Sequence, residues 1–457
     1  MKYFRYACVA ALLAQTLSVA AYDPYETPED FMAWLTANQE ARPQFVDGDV
    51  IGIDKIELIR PFVPPSYQEH MFFEGMEVRI KDAGDLSPAE VYQAATAQFG
   101  QQARIGPEGR LESYTAGRPF DPSTFSSGSV EDGTKLGWNF NYRWQSEGAE
   151  TGEAEWVWVR FGGNHDKHEI MKSDRARFYQ GQGTFERILR GTYKRTYVAH
   201  RVDLAQSDYR MPVKWAEGVE FREHTGFYSP FDIAGTAFIV IRYLDPKKAD
   251  DAWAYIPSLR RVRRISAEVK SDSLLGTDMT LEDFYCFSGR VTDWNWEYLG
   301  TIRALAVANS RNLNAVYYGP DGLTPLDDWS LRLMDVAKMT PKHSGHPYSM
   351  KIMMMDRQTG GCYYADIYDV AGKLWKVLQQ TTSWTENAYH HEGYDFGLKP
   401  SAETPRGIRV AAFQSVQAID KQNKRATLVP TRGMYYGSSD LQIVKRRYDI
   451  NTLTEGR

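Results

Sequence analysis

Residues 235–290, GTAFIVIRYLDPKKADDAWAYIPSLRRVRRISAEVKSDSLLGTDMTLEDFYCFSGR, restrict what this chain can fold into more than any other stretch. Residues 237–243 (AFIVIRY) are β-branched or aromatic almost throughout, which suits a pleated, largely buried strand. Leu244-Asp245-Pro246 opens a turn, and residues 247–251 form a charged loop unsuited to a core. Residues 252–256 (AWAYI) read as a second short strand with Trp253 and Tyr255 on one face. Pro257-Ser258 turns the chain into residues 259–265, where Arg260, Arg261, Arg263 and Arg264 surround Val262. The result is an antiparallel meander whose third strand is cationic.

The same pattern spreads over the rest of the chain. Residues 138–145 (WNFNYRWQ) and 154–161 (AEWVWVRF) carry aromatics at period two, as strands do. Further strands are expected at 74–80, 187–193, 196–203, 350–355, 362–369, 374–384, 407–420 and 425–428. Helices are expected only within 28–38, over 88–99 behind a Ser87-Pro88-Ala89-Glu90 capping box, and at 439–448. Strands that follow one another without helices between them imply an antiparallel sheet. A long antiparallel sheet must close, fold onto itself or be covered. The expected class is mainly β (α+β), a strongly curved antiparallel sheet around a covered or ligand-filled hollow.

The first residues, MKYFRYACVAALLAQTLSVAAYDP, combine a basic start (Lys2, Arg5), a short apolar run and the small residues Ser18-Val19-Ala20-Ala21. That is the pattern of an export signal cleaved near Ala20/Ala21, and the apolar run is too short to span a bilayer. The expected segments are a signal peptide at 1–21, an N-terminal helical or extended segment at 22–60, and one sheet domain with insertions at 61–457. Removing Lys2 and Arg5 takes the formal charge from −5 to −7 (−5 minus 2), which offers no positive field for nucleic acid. No later segment is apolar for long enough to cross a membrane. The mature chain keeps Cys286 and Cys362, which either pair in an oxidising compartment or stay as buried free thiols.

Trp253-Ala254-Tyr255-Ile256-Pro257, then Arg260-Arg261-Val262-Arg263-Arg264, then Leu275-Gly276-Thr277-Asp278-Met279-Thr280-Leu281-Glu282-Asp283-Phe284 resemble the LolA-like periplasmic superfamily. There a W-x-Y-x-P strand leads through an Arg-rich strand to a G-S/T-D-F/M-S/T-x-E-D loop. Residues 114–120, 138–139, 231–236 and 364–369 resemble its larger, uncharacterised branch of outer-membrane lipoprotein-sorting-like proteins. The resemblance implies a half-open β-barrel with an apolar concave face and a few covering helices. It implies a carrier or chaperone moving a lipid, lipoprotein acyl chains or another hydrophobic cargo between the inner and outer membranes of a Gram-negative envelope. It also implies a partner exporter of the RND type in the inner membrane and an acceptor in the outer membrane. The chain is about twice the length of the small carriers.

A carrier needs a dry concave surface and no catalytic group, cofactor or metal. The 28 Tyr, 21 Phe and 12 Trp can line such a surface or simply fill the core. Trp253, Tyr255, Phe238, Val240, Arg261 and Arg263 are the expected ligand-binding residues. Arg260 and Arg264, with Gly276, Asp278, Glu282 and Asp283, are expected to hold the motif together. The arginines suit an anionic head group, a partner protein, or a charge-blunted edge strand paired with Asp278, Glu282 and Asp283. Asp278 is also a candidate helix N-cap, or half of an acid–base pair with Glu282 or Asp283. His165 with His168, His343 with His346, and His390-His391 have spacings seen in metal sites, which would make the chain a periplasmic hydrolase. No H-E-x-x-H, C-x-x-C, G-x-S-x-G or Walker glycine loop supports that reading. The cluster Met350, Met353, Met354 and Met355 fits a strand of alternating burial. A non-catalytic envelope-assembly scaffold is the remaining alternative.

Overall fold

Two runs of antiparallel strands, each laid down in chain order, are joined edge to edge into one 15-stranded open sheet. The computed structural model describes residues 25–146, 148–265, 273–312, 314–384, 409–435 and 441–454. The strands are β1 (Val50–Ile51), β2 (Val78–Ile80), β3 (Arg104–Ile105), β4 (Leu111–Glu112), β5 (Gly148–Arg160), β6 (Thr184–Tyr197) and β7 (Val219–Ser229). Then come β8 (Ala237–Tyr243), β9 (Asp251–Ile256), β10 (Arg261–Ile265), β11 (Trp294–Ala306), β12 (Tyr317–Tyr318) and β13 (Thr324–Pro325). The last six are β14 (Asp328–Pro341), β15 (Met350–Asp356), β16 (Cys362–Tyr368), β17 (Leu374–Trp384), β18 (Ala411–Asp420) and β19 (Arg425–Tyr435). β14 to β19 cross the sheet in order, β19 pairs with β5, and β5 to β10 continue to the far edge. β11 lies on the opposite side, against β14. Strands consecutive in sequence, β10 and β11, therefore sit at opposite edges. The chain between them must cross a whole sheet face.

Over the central strands, β15 to β18, both faces are buried. In β15 the side chains of Met350, Ile352 and Met354 join one core while Met353 and Met355 join the other. All seven residues of that strand are buried, so the expected alternation of burial gives way to alternation between two cores. The first core lies under residues 25–86, which carry α1 (Pro28–Glu40) and α2 (Pro65–Met71). That covering joins the sheet through its backbone: β2 runs parallel to β14, pairing Arg79 with Asp328 and Ile80 with Trp329. The second core lies under α4 (Val130–Asn141) and the crossing segment, residues 273–293. A further apolar cluster packs the C-terminal helix Leu441–Arg447 and its tail against β7 to β9 through Val444, Tyr448 and Leu453.

Several expectations need correction. Residues 138–145 are not a strand: the first four end α4, capped by Ser129, whose side chain accepts from the Asp132 amide. Trp138, Phe140 and Tyr142 fit period two by accident. Gly133, Leu136, Gly137 and Phe140 make the buried helical face, where an added Cβ at Gly133 would lie 2.6 Å from the Trp296–Glu297 backbone. The Ser87–Glu90 capping box does not form; α3 (Glu90–Phe99) starts at Ala89, and Ser87 donates to Asp85 instead. Residues 187–193 and 196–203 are not two strands; β6 runs through Thr184–Tyr197, and short helical turns follow. β7, β11 and β14, three of the longest strands, were not expected from the sequence. The expected mainly β class holds, as a large curved sheet with few helices; the sheet is not closed, and it is mixed rather than wholly antiparallel because β2 runs parallel to β14. Residues 1–24, with the expected export signal, and His390-His391 lie outside the described residues.

Candidate functional site

Three helical turns, Leu274–Gly276, Leu281–Cys286 and Val291–Asp293, build the crossing segment. Leu274, Met279, Phe284, Cys286 and Phe287 point into the core beneath, against Trp156, Tyr193, Met353, Met355 and Val429 from four different strands. Every backbone–backbone hydrogen bond of residues 274–290 among those described stays within the segment, such as Thr277 to Leu274 and Ser288 to Glu282. The sheet holds residues 274–290 through its side chains, and the backbone tie comes only at the end of the segment, where the Lys342 amide donates to the Asp293 carbonyl at 2.9 Å. Leu275, Tyr285 and Cys286 have φ of 50°, 59° and 70°, a region costly for residues with a Cβ.

The side-chain ties fall on the acids of the motif. Asp283 Oδ1 accepts from Lys351 Nζ at 2.9 Å, and its Oδ2 accepts from the Tyr348 hydroxyl at 2.8 Å. The same Oδ2 takes the Thr280 amide at 2.9 Å, closing a capping box in which Thr280 is the N-cap. Burial pushes the Asp283 carboxyl up, but Lys351, then Lys376, and the Thr280 amide pull it down to about 2. Lys351 also donates to the Cys286 carbonyl at 2.8 Å. Asp278 accepts from Arg425 Nε at 2.7 Å and from the Thr427 hydroxyl at 2.9 Å. Burial raises the Asp278 carboxyl despite Arg425. Glu282 accepts from His346 Nε2 at 3.1 Å; Nδ1 of that ring takes the Tyr348 amide, which fixes the proton on Nε2. At the far end, Arg242 donates to the carbonyls of Ser288 and Gly289, both at 2.8 Å, while pairing with Asp250.

These partners replace the expected ones. Asp278 is not a helix cap, and neither it, Glu282 nor Asp283 meets the arginine strand. Arg264 pairs with Asp251 and lies over Trp253, while Arg260 sits outside β10 in a left-handed turn. The six expected ligand-binding residues do not share a face. Register pairs Ile239 with Trp253 and Ala237 with Tyr255, so both aromatics point toward the C-terminal cluster. Phe238 and Val240 point the other way, with Arg261 and Arg263 on that same face of exposed β10. Cys286 and Cys362 are free and fully buried; burial and the neighbouring Cys362 sulfur push the Cys286 thiol up. His165 stacks on Phe185 and reaches the carbonyls of Gly183 and Tyr179, and His168 caps a turn. Among the described residues no cluster of three His, Cys, Asp or Glu is arranged to hold a metal ion, and no helix is long and apolar enough to cross a membrane. Sequence reading missed Lys351, Arg242 and Arg425. Its available signal was a lone cation inside an otherwise apolar strand, as in MKIMMMD and AFIVIRY.

The space left beneath the segment is small. An apolar cavity of about 20 Å³ lies between Trp156, Tyr193, Phe284 and Phe413. Ligand pockets usually measure about 300–1,000 Å³, so this one has water-sized room. A far larger depression, about 780 Å³, is open and polar, lined by Lys194, His224, Lys445, Arg446 and Arg447.

No curated protein matches the chain. Solved structures similar to it include a domain named for outer membrane lipoprotein sorting from Vibrio parahaemolyticus, 16% identical with a TM-score of 0.44, covering 71% of this chain and 100% of that one. A DUF1329 family protein from Desulfovibrio piger ATCC 29098 is 16% identical with a TM-score of 0.44, covering 72% and 100%. A LolA superfamily protein from Nitrosomonas europaea is 11% identical with a TM-score of 0.35, covering 68% and 95%. Residues 76–397, most of the chain, match the model of one family, and the chain belongs to it: the proteins of unknown function DUF1329.

Proposed function

We propose that this chain is a periplasmic carrier that receives a hydrophobic guest, a lipid or the acyl chains of a lipoprotein, on the sheet face that residues 273–290 now cover. The observation that carries this reading is the mode of attachment: a strip of the chain rich in apolar side chains lies on a sheet face with no backbone–backbone hydrogen bond to it among the described residues. Lifting it would break a few ion pairs and leave every sheet ladder intact. The strained residues Leu275, Tyr285 and Cys286 favour such a change, because strain is retained where a second state uses it. The guest's methylenes then replace Leu274, Met279, Phe284 and Phe287, at about 0.8 kcal/mol for each CH₂ buried. An RND-type exporter and an outer-membrane acceptor are the donor and receiver in this reading. No step calls for catalysis.

Lipid extraction of the natively purified protein, followed by mass spectrometry, tests the proposal together with uptake of a fluorescent fatty acid. Guest binding is expected to expose Cys286 to a maleimide, which the buried thiol otherwise resists. No recovered lipid, no uptake and no gain in thiol labelling would sink it. The scaffold reading is favoured by the cavity of only about 20 Å³, and that same result would leave it standing.

A further inference from the structure

One end of the sheet carries an apolar and cationic surface of its own. The β7–β8 hairpin closes through hydrogen bonds between Phe227 and both Thr236 and Gly235, leaving a tip at residues 228–234. At that tip Phe231 is 98% exposed, which a soluble protein gains nothing by keeping in water. The β9–β10 connection holds Ile256 and Leu259, 38% and 43% exposed. Pairing of Ala237 with Tyr255 puts the two tips side by side.

Around these apolar residues the charge is positive. Arg260, Arg261 and Arg263 are exposed, and none forms an ion pair among the described residues. Arg187 is matched by Asp232, with Nη2 and Oδ2 2.5 Å apart. Counting these five groups leaves a net +3 (four arginines minus one aspartate) on a chain whose net charge is −5. The tips thus oppose the chain's overall sign. Exposed aromatic and aliphatic side chains ringed by arginines match a bilayer surface of anionic head groups: the apolar tips enter the boundary with the acyl chains and the guanidinium forks take phosphates.

We infer that the paired hairpin tips, Phe231 with Ile256 and Leu259 beside Arg260, Arg261 and Arg263, are a docking surface for an anionic membrane. Docking does not depend on the crossing segment yielding to a guest. In the carrier reading it would hold the protein against a membrane during exchange.

The test is co-sedimentation of the full mature chain with vesicles of phosphatidylethanolamine and phosphatidylglycerol, against vesicles of phosphatidylcholine alone. Binding is expected to the anionic vesicles and to fall as salt is raised. Phe231→Ser with Leu259→Ser is expected to weaken it about tenfold or more, and Arg261→Glu with Arg263→Glu by at least about fivefold per reversed charge. Thermal melts of these variants should match the parent, because all four side chains are exposed. Equal binding to both vesicle types, no binding, or unchanged binding by the variants would overturn the inference. Capture of an exporter domain at these tips without vesicle binding would overturn it too. Fatty-acid uptake is read on the same variants, which leave residues 274–290 untouched, so failure of docking and failure of the carrier reading separate cleanly.

Discussion

The two coverings of the sheet differ in how they are attached. Residues 25–86 join the ladder through β2 and β14, with Lys81 donating its amide to the Trp329 carbonyl at 2.9 Å. Residues 274–290 have no such bond and depend on Lys351, Arg425, His346 and Arg242. A covering sewn in by backbone comes off only with the fold. One held by buried charges has a discrete set of ties, each lost or kept as a whole, and so can have two states.

Lys351→Met should break the comparison most sharply. It leaves the Asp283 carboxylate buried with the Tyr348 hydroxyl and Thr280 but no cation in contact, at a cost of about 3–5 kcal/mol. Hydrogen exchange is expected to accelerate first at residues 274–290, and Cys286 to become reactive to maleimide. Uniform acceleration over both coverings would show that they form one unit. Phe31→Ala is the matching test of the other covering. Phe31 is fully buried, and its loss should cost about 3 kcal/mol, the low end for such a change because α1 can settle toward the sheet. Chemical denaturation should report that as a shift of the global midpoint, without release of Cys286.

The coverings should also answer pH with opposite signs. Asp366 lies under the N-terminal covering, where it accepts from Tyr25 at 2.5 Å and Ser66 at 2.7 Å. Burial raises its carboxyl from 3.8 to about 6. The folded state then holds a proton the unfolded state has released, so stability falls by about 3 kcal/mol as pH rises from about 4 to about 6. Asp283, lowered to about 2, works the other way: its contribution, about 2 kcal/mol, is full above about pH 4 and is lost as pH falls toward 2. Asp366→Asn should flatten the first slope in urea titrations at stepped pH and leave the second. Smallest of all, Arg264→Ala removes an exposed pair with Asp251 and should change stability by less than about 1 kcal/mol. A larger loss would mean that β10 is more than a charged edge.

Much of the sheet was legible because its signals are local. Ala237–Tyr243 and Leu374–Trp384 match their expected bounds, since β-branched and aromatic runs end at turn residues. The 138–145 stretch misled because three aromatics at period two can also lie on one turn-and-a-half of helix, and the Ser129 cap and the glycine face decide between them. The motif around Asp278 and Asp283 was visible as a motif, but its partners were not. Lys351 and Arg425 are 68 and 147 residues away in sequence, and only strand order brings them near.

What the sequence determined by itself is the inventory: a long antiparallel sheet poor in helices, a cationic edge strand, and an acid-bearing loop after it. Local propensity and alternation suffice for that, because each depends on neighbours within a few residues. The tertiary structure alone decided that β10 and β11 stand at opposite edges, so that the loop becomes a strap across a sheet face. That follows from β19 pairing with β5, a contact between distant parts of the chain that no short-range pattern encodes.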